Sequence, residues 1–266
     1  MSFIVPESAA EYGFRLKPGG AHGSKTMMLR EARLLFAASQ PKTDFEELKR
    51  LVLEENVLLK DTFSNREDVF RRLGDLYGLR REIPLYYALR SLWDSSEQEQ
   101  PLLALFCALA RDPLLRATVS VVLEQPEGAA VTPAMLAAAL ETAFPERYGA
   151  KTLLSISQNT ASSWAQAGFV AKTLHRTRQR PAAGPASAAY ALLLGFLCGS
   201  RGTLLLETAW AQVLDAAAPG GIDSLAVAGA QRGWIDYRRL GNIADIGFSC
   251  FLPERREPSG GVHGGY

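Results

Sequence analysis

The sequence predicts a mostly α-helical protein: an N-terminal multi-helix bundle with a helix-turn-helix-like end, and a C-terminal winged-helix domain whose wing is a β-hairpin. Three observations lead to this fold class. Apolar residues recur at helical spacing through residues 24–171, whereas strand-like alternation is confined to residues 235–250. The composition is that of a folded chain, because 47% of the 266 residues are apolar and 21% are charged.

The helical spacing begins after residues 1–23, which are rich in Gly and Pro and are expected to form a flexible lead-in. The first predicted helix carries four apolar residues on one face: Met28, Ala32, Leu35 and Phe36. Two stretches with the pattern of a capping box, "TDFE" beginning at Thr43 and "SNRE" beginning at Ser64, predict the starts of the next two helices. Gly78 stands where the second of these should end.

Further helices complete the predicted domain over 24–171. One is expected at about 83–94, and an apolar stretch at 101–124 must be broken by Pro113. "VTPAMLAAALETAF" places Thr132 at a helix N-cap with a proline at the first helical position. "SISQNTASSWAQAGF" predicts the last helix of this domain, ending at a glycine.

The composition changes at residues 172–186, which are predicted to form a basic, Pro-rich linker between two domains. Five basic residues lie in this segment without an acidic neighbour: Lys172, His175, Arg176, Arg178 and Arg180. The net charge of the whole chain is only +1, so an affinity for nucleic acid must come from a local cluster such as this one.

Residues 187–253 read as three helices followed by a hairpin, the order of a winged-helix domain. The third helix is expected to begin with Asp223 as its N-cap. The apolar period then changes to two, with Ile235 and Tyr237 on one face of the first strand. The second strand alternates likewise, with a shared face of Ala244, Ile246, Phe248 and Cys250. Residues 254–266 are expected to form a flexible tail.

Two surfaces are candidates for contact with DNA. In the winged-helix region, Arg232 at the end of the third helix and Arg238 and Arg239 near the hairpin tip suit phosphates. The third helix has few side chains that read base edges, so contacts to the backbone and low sequence specificity are expected. The alternative is that this region binds another protein.

The second candidate surface combines the helix before Gly168 with the basic segment that follows it. If Ala161, Trp164 and Phe169 pack inward, four polar residues should face outward: Asn159, Thr160, Ser162 and Ser163. Together with the basic residues they would form a strip for phosphates. The alternative is an ordinary solvated linker.

Signatures of catalysis and of metal binding are missing from the sequence. There is no phosphate-binding G-x-x-x-x-G-K-[ST], no G-x-S-x-G and no H-E-x-x-H. Three separated cysteines, expected to be buried thiols, and three histidines make a metal site improbable on sequence grounds. We therefore expect no catalytic residue, cofactor, metal or small-molecule substrate.

Targeting and membrane signals are also missing. The first residues lack the pattern of a secretory signal, and the longest apolar run, "AAYALLLGFLC", is about half the ~20 residues of a membrane span. The expectation is a cytoplasmic protein without membrane contact.

The stretches "VLEENVLLKDTFSNRE" at 52–67 and "SQNTASSWAQAGFV" at 157–170 carry a family resemblance. Over residues 24–180 the chain resembles the BrxA family of bacterial bacteriophage-exclusion (BREX) defence systems. The resemblance implies a non-enzymatic, all-helical protein that binds double-stranded DNA beside the other proteins of the defence system. The region 187–253 is an addition to that pattern. The alternatives are an adaptor subunit of the defence complex that never contacts DNA and a stand-alone transcriptional regulator.

Overall fold

The computed structural model describes residues 3–173 and 175–252, and it confirms that the protein is mostly helical with a small antiparallel sheet near its C-terminal end. The helices and strands are α1 Leu29–Ala37, α2 Phe45–Leu53, α3 Phe63–Tyr77, α4 Pro84–Trp93, α5 Gln100–Arg111, α6 Pro113–Arg116, α7 Val119–Leu123, α8 Pro133–Ala143, α9 Ala150–Gln166, α10 Pro185–Leu197, α11 Ala209–Ala217, α12 Ile222–Gln231, β1 Asp236–Leu240 and β2 Ile243–Gly247. Short 3₁₀ helices cover Glu7–Tyr12, Ala21–Gly23 and Gly202–Glu207. The predicted tail at 254–266 lies outside the described residues.

The side chains that cap the helices determine where two of them begin. α2 begins one residue later than its sequence motif predicted, and α3 begins two residues earlier. Asp44 caps α2 by accepting from the Glu47 N–H at 2.9 Å, and Thr62 caps α3 by accepting from the Asn65 N–H at 3.2 Å. The N-caps predicted at Thr43 and Ser64 are therefore wrong by one and two residues, because the neighbouring Asp and Thr offer equally good acceptors. The predicted cap Thr132 is confirmed by its bond from the Met135 N–H at 3.3 Å.

The segment preceding α1 is packed against the helices, which differs from the flexible lead-in expected for residues 1–23. Phe14, Ala21 and His22 are buried, and the Arg15 N–H donates to the Ala110 carbonyl at 3.1 Å. Gly20 has a φ of +148°, and a Cβ there would lie 2.4 Å from the Asp112 carboxyl group. The glycines that suggested flexibility therefore serve turns and close packing.

The centre of the molecule is formed by α5 and α10, which are apolar on all sides. Every residue of α5 except Pro101 is buried, and so is every residue of α10 except Pro185 and Phe196. α10 packs against α4 and α5 from the first predicted domain and against α11 and α12 from the second. A single buried apolar cluster therefore runs across the boundary that the sequence placed at 172–186.

The start of α10 is tied to the earlier helices by a buried carboxylate. Glu99 accepts hydrogen bonds from the Ser187 N–H at 2.8 Å and from the Ser187 hydroxyl at 2.9 Å. This places negative charge at the positive end of the helix. A Cβ at Gly184 would lie 2.4 Å from a Glu99 oxygen, so the approach requires glycine. Residues 184–187 are consequently a fixed contact and not part of a free linker.

The predicted hairpin is present, with Leu240 opposite Ile243 and a two-residue turn at 241–242. Ile235, Ala244, Ile246 and Phe248 are buried, whereas the predicted fourth residue of the second strand face, Cys250, is exposed because the strand ends at Gly247. Of the three thiols expected to be buried, Cys107 is buried and Cys198 is half-buried.

The start of the third helix of this region also differs from the prediction. Gly221 is the N-cap of α12, and Asp223 lies inside its first turn. Asp223 instead accepts hydrogen bonds from Tyr237 and Arg239 of the hairpin, which together lower the pKa of its carboxyl group. The carboxylate thus joins helix and hairpin.

Among the described residues, no helix has the length and apolar character needed to cross a membrane.

Candidate nucleic-acid interface

The basic segment after α9 is held in place by backbone hydrogen bonds on both of its sides. On one side, the Gln179 N–H donates to the Phe169 carbonyl at 2.8 Å. On the other, the Val131 N–H donates to the Arg176 carbonyl and the Arg178 N–H to the Ala129 carbonyl, each at 2.7 Å. The segment is therefore a fixed loop between the end of α9 and the residues that precede α8.

Three predicted contact residues, Thr160, Ser163 and Arg178, are buried and cannot reach DNA. The Thr160 hydroxyl lies 3.0 Å from the Ile156 carbonyl, and the Arg178 guanidinium lies 4.7 Å from the centre of the Phe169 ring. Thr160 lies on the same side of α9 as Ser163 and Trp164, which follow it by three and four residues. Burial also lowers the pKa of Arg178.

Ser163 belongs to a buried polar network that the sequence did not indicate. His22 Nδ1 lies 2.7 Å from Asp112 Oδ2, and His22 Nε2 lies 2.8 Å from Ser163 Oγ. Burial by itself would raise the pKa of Asp112, but the charge and hydrogen bonds of His22 outweigh it and hold the pKa below its ordinary value. The network joins the segment before α1 to the start of α6 and to α9.

The order of groups in this network is that of a Ser-His-Asp triad, but its surroundings differ from those of an active site. The side chains of Ser163 and His22 are completely buried. Ser163 Oγ also accepts a hydrogen bond from the Met27 N–H at 2.8 Å. A substrate has no approach to this hydroxyl, so we interpret the network as structural.

Apart from Arg180, the remaining predicted residues of α9 and the loop come together around Arg176. A cavity of about 610 Å³, here called the α8–α9 cavity, lies between residues 130–133, α9 and the loop. Its polar side chains are Thr132, Gln158, Asn159, Ser162, His175 and Arg176. A second cavity of about 260 Å³, here called the loop cavity, shares Ser162 and Arg176 with the first and adds Lys172.

The charge of the two cavities is positive. None of the residues that line them is an Asp or a Glu within the part of the chain that the structure describes. Arg176 Nη2 lies 3.5 Å from Ser162 Oγ, and Arg176 Nη1 is buried without a hydrogen-bond partner among the described residues. His175 and Lys172 are exposed beside it. The arrangement suits an anionic ligand.

The other predicted arginines are engaged to different degrees. Arg180 forms an ion pair with Glu127 at 3.1 Å, and Arg239 forms one with Asp223. Arg232 donates to the Ala228 carbonyl at 3.0 Å within its own helix. The Arg238 side chain is exposed and has no hydrogen bond or ion pair with any described residue. Of the hairpin arginines, it is the one available to a phosphate.

The hairpin tip exposes large apolar side chains. Leu240 is 85% exposed and Ile243, directly opposite it, is 73% exposed. Leu204, in the 3₁₀ helix that packs against β2, is 63% exposed. Such a cluster is typical of a surface that contacts another protein.

Within residues 3–173 and 175–252, no group of three or more His, Cys, Asp or Glu side chains is placed to hold a metal ion.

Comparison with known proteins gives a fold and no function. No family model matches the chain, and no curated protein matches it. The crystal structure of an uncharacterized protein from Magnetospirillum magneticum is similar, with a TM-score of 0.51 and 14% sequence identity over 69% of this chain and 96% of that one. At that identity the likeness shows that the two chains share a fold.

Proposed function

We propose that this protein binds double-stranded DNA through the phosphate backbone, as a non-enzymatic component of a BREX-type phage-defence assembly in the bacterial cytoplasm. One observation carries the proposal: two neighbouring cavities share Arg176, hold Lys172 and His175 beside it, and have no carboxylate among their described lining residues. Cations arranged in this way release counterions from DNA and bind it with little regard to sequence.

The assignment to phage defence rests on the resemblance at residues 52–67 and 157–170. The second stretch supplies Asn159 and Ser162, which line the α8–α9 cavity. The resemblance and the cavity therefore concern the same helix. The same proposal includes a winged-helix domain at residues 187–253, with Arg238 as its phosphate contact.

The test is a DNA-binding titration with several unrelated duplexes at low and moderate salt. Arg176→Ala and Lys172→Ala should each weaken binding to every duplex and reduce the slope of log K against log salt by about 0.9 per lost phosphate contact. Lys49→Ala on α2 removes one exposed charge away from both cavities and serves as the matched control. Equal losses from Lys172→Ala and Lys49→Ala would show that only overall charge matters.

A second candidate function, a protein–protein adaptor, is favoured by the hairpin. Arg239 is paired internally with Asp223, and Leu240 and Ile243 are exposed at the tip. If no duplex binds at low salt, the adaptor is the better account. Co-purification with the other defence proteins should then depend on the tip, and Leu240→Asp should abolish it.

A further inference from the structure

The α8–α9 cavity is larger and chemically more varied than a phosphate site requires. Its volume of about 610 Å³ lies within the roughly 300–1,000 Å³ that is typical of sites for whole small molecules. A phosphate needs only hydrogen-bond donors and positive charge, which Arg176 and its neighbours already provide on one side. The rest of the lining is therefore available for another part of a ligand.

That other part of the cavity offers carbon surface and neutral amides. Ala130 is exposed and Pro133 half-buried at the start of α8, so both present carbon atoms to the cavity. Gln158 is exposed and makes no hydrogen bond with a described residue, so its amide can both donate and accept.

Asn159 adds an acceptor to the cavity. Its Nδ2 donates to the His22 carbonyl at 3.0 Å, which fixes the amide and leaves Oδ1 as an acceptor. An acceptor repels the oxygens of a phosphate but binds the N–H groups on the edge of a nucleobase.

We infer that the α8–α9 cavity holds one unpaired nucleotide of a DNA strand. Its phosphate lies at Arg176, its base packs against Ala130 and Pro133, and Gln158 and Asn159 bind the base edge. A base inside a duplex has its edge and faces occupied, so the nucleotide must come from a bulge, a gap or a displaced strand. This inference rests on the proposed DNA binding, because the phosphate contact is the same.

The experiment compares three duplexes of equal length: one fully paired, one with a single unpaired nucleotide, and one with an abasic sugar in place of that nucleotide. The last two have the same charge and differ only in the base. Wild-type protein should bind the duplex with the unpaired base about three- to tenfold tighter than the abasic one, as expected for one or two hydrogen bonds. Gln158→Leu, a change of similar size at an exposed position, should reduce this preference without changing affinity for the paired duplex, because Asn159 still binds the base edge. Arg176→Ala should weaken binding to all three.

The outcomes separate the two levels of the proposal. Equal affinity for the base-containing and abasic duplexes, with salt-dependent binding of the paired duplex, would overturn the nucleotide site and leave backbone binding intact. An undiminished preference in Gln158→Leu would place the base elsewhere and overturn the assignment. A failure of wild-type protein to bind any of the three would overturn backbone binding and the nucleotide site together.

Discussion

Removal of the Asp112 side chain should be among the most destabilising single changes in this protein. Three buried donors depend on it: the His22 N–H at 3.0 Å, His22 Nδ1 at 2.7 Å and the Leu114 N–H at 3.0 Å. Each buried donor left without an acceptor costs about 1–3 kcal/mol, so three of them cost at least about 3 kcal/mol. We expect Asp112→Ala to lower the free energy of unfolding by about 3–5 kcal/mol. Asp112→Asn should cost less, because it keeps an acceptor.

Urea unfolding at neutral pH measures the loss, provided that the denaturant dependence of the free energy of unfolding stays the same in both proteins. A loss below about 1 kcal/mol for Asp112→Ala would refute the reasoning, since three unpaired buried donors cannot cost so little. Ser120→Ala, at a half-buried position of α7 without a side-chain hydrogen bond to a described residue, is a suitable control.

The pH dependence gives an independent check on the same carboxylate. Its pKa is lower in the folded protein than in the unfolded chain, so ionisation favours folding. The contribution is fully present above the unfolded pKa of about 3.9 and is lost as the pH falls through the folded value. The stability difference between wild type and Asp112→Ala should therefore shrink only below about pH 4. A difference that stays constant into the acid range would mean that folding does not lower the pKa of this carboxyl group.

Three further changes test other parts of the structure. Gly184→Ala should lower the free energy of unfolding in urea by about 1–3 kcal/mol, since its Cβ would meet the Glu99 carboxylate at 2.4 Å. Arg178→Ala should lower the thermal midpoint but leave DNA affinity unchanged in the folded protein, because the side chain is buried; a selective loss of DNA binding would contradict this. If the hairpin touches DNA, Arg238→Ala should weaken binding more than Arg239→Ala in the same titration, because Arg239 already has an ionic partner.

Local periodicity was sufficient to predict the helices and the hairpin. The apolar spacing around Phe36 and the change of period after Ile235 are both set by neighbours within a few residues. The cap at Thr132 could be predicted for the same reason, because an N-cap bonds to a residue only three positions away.

The sequence could not show which polar residues are buried. Ser163 is a polar residue in a polar stretch of sequence, which is typical of an exposed helix position. Its side chain is buried because it packs against and bonds to His22, 141 residues away in the chain. No local pattern records such a partner. The sequence therefore predicted only the exposed part of the candidate site, where Asn159 and Ser162 line a cavity.

For a related reason, the sequence could not show that residues 184–187 are packed against the earlier helices. Pro, Ala and Gly in residues 181–186 indicate a break in regular structure, but they do not show whether the connection is packed or free. What distinguishes the two here is Glu99, whose carboxylate binds Ser187 across 88 residues of sequence.

The central position of α10 has a consequence for how the protein is made. Residues 24–171 leave the ribosome before α10 does, and until it arrives the apolar side chains of α4 and α5 that it covers face water. The carboxylate of Glu99 likewise lacks its two donors during that interval. A nascent chain halted before residue 185 should consequently expose apolar surface and bind a chaperone. Completion of synthesis should coincide with loss of chaperone binding.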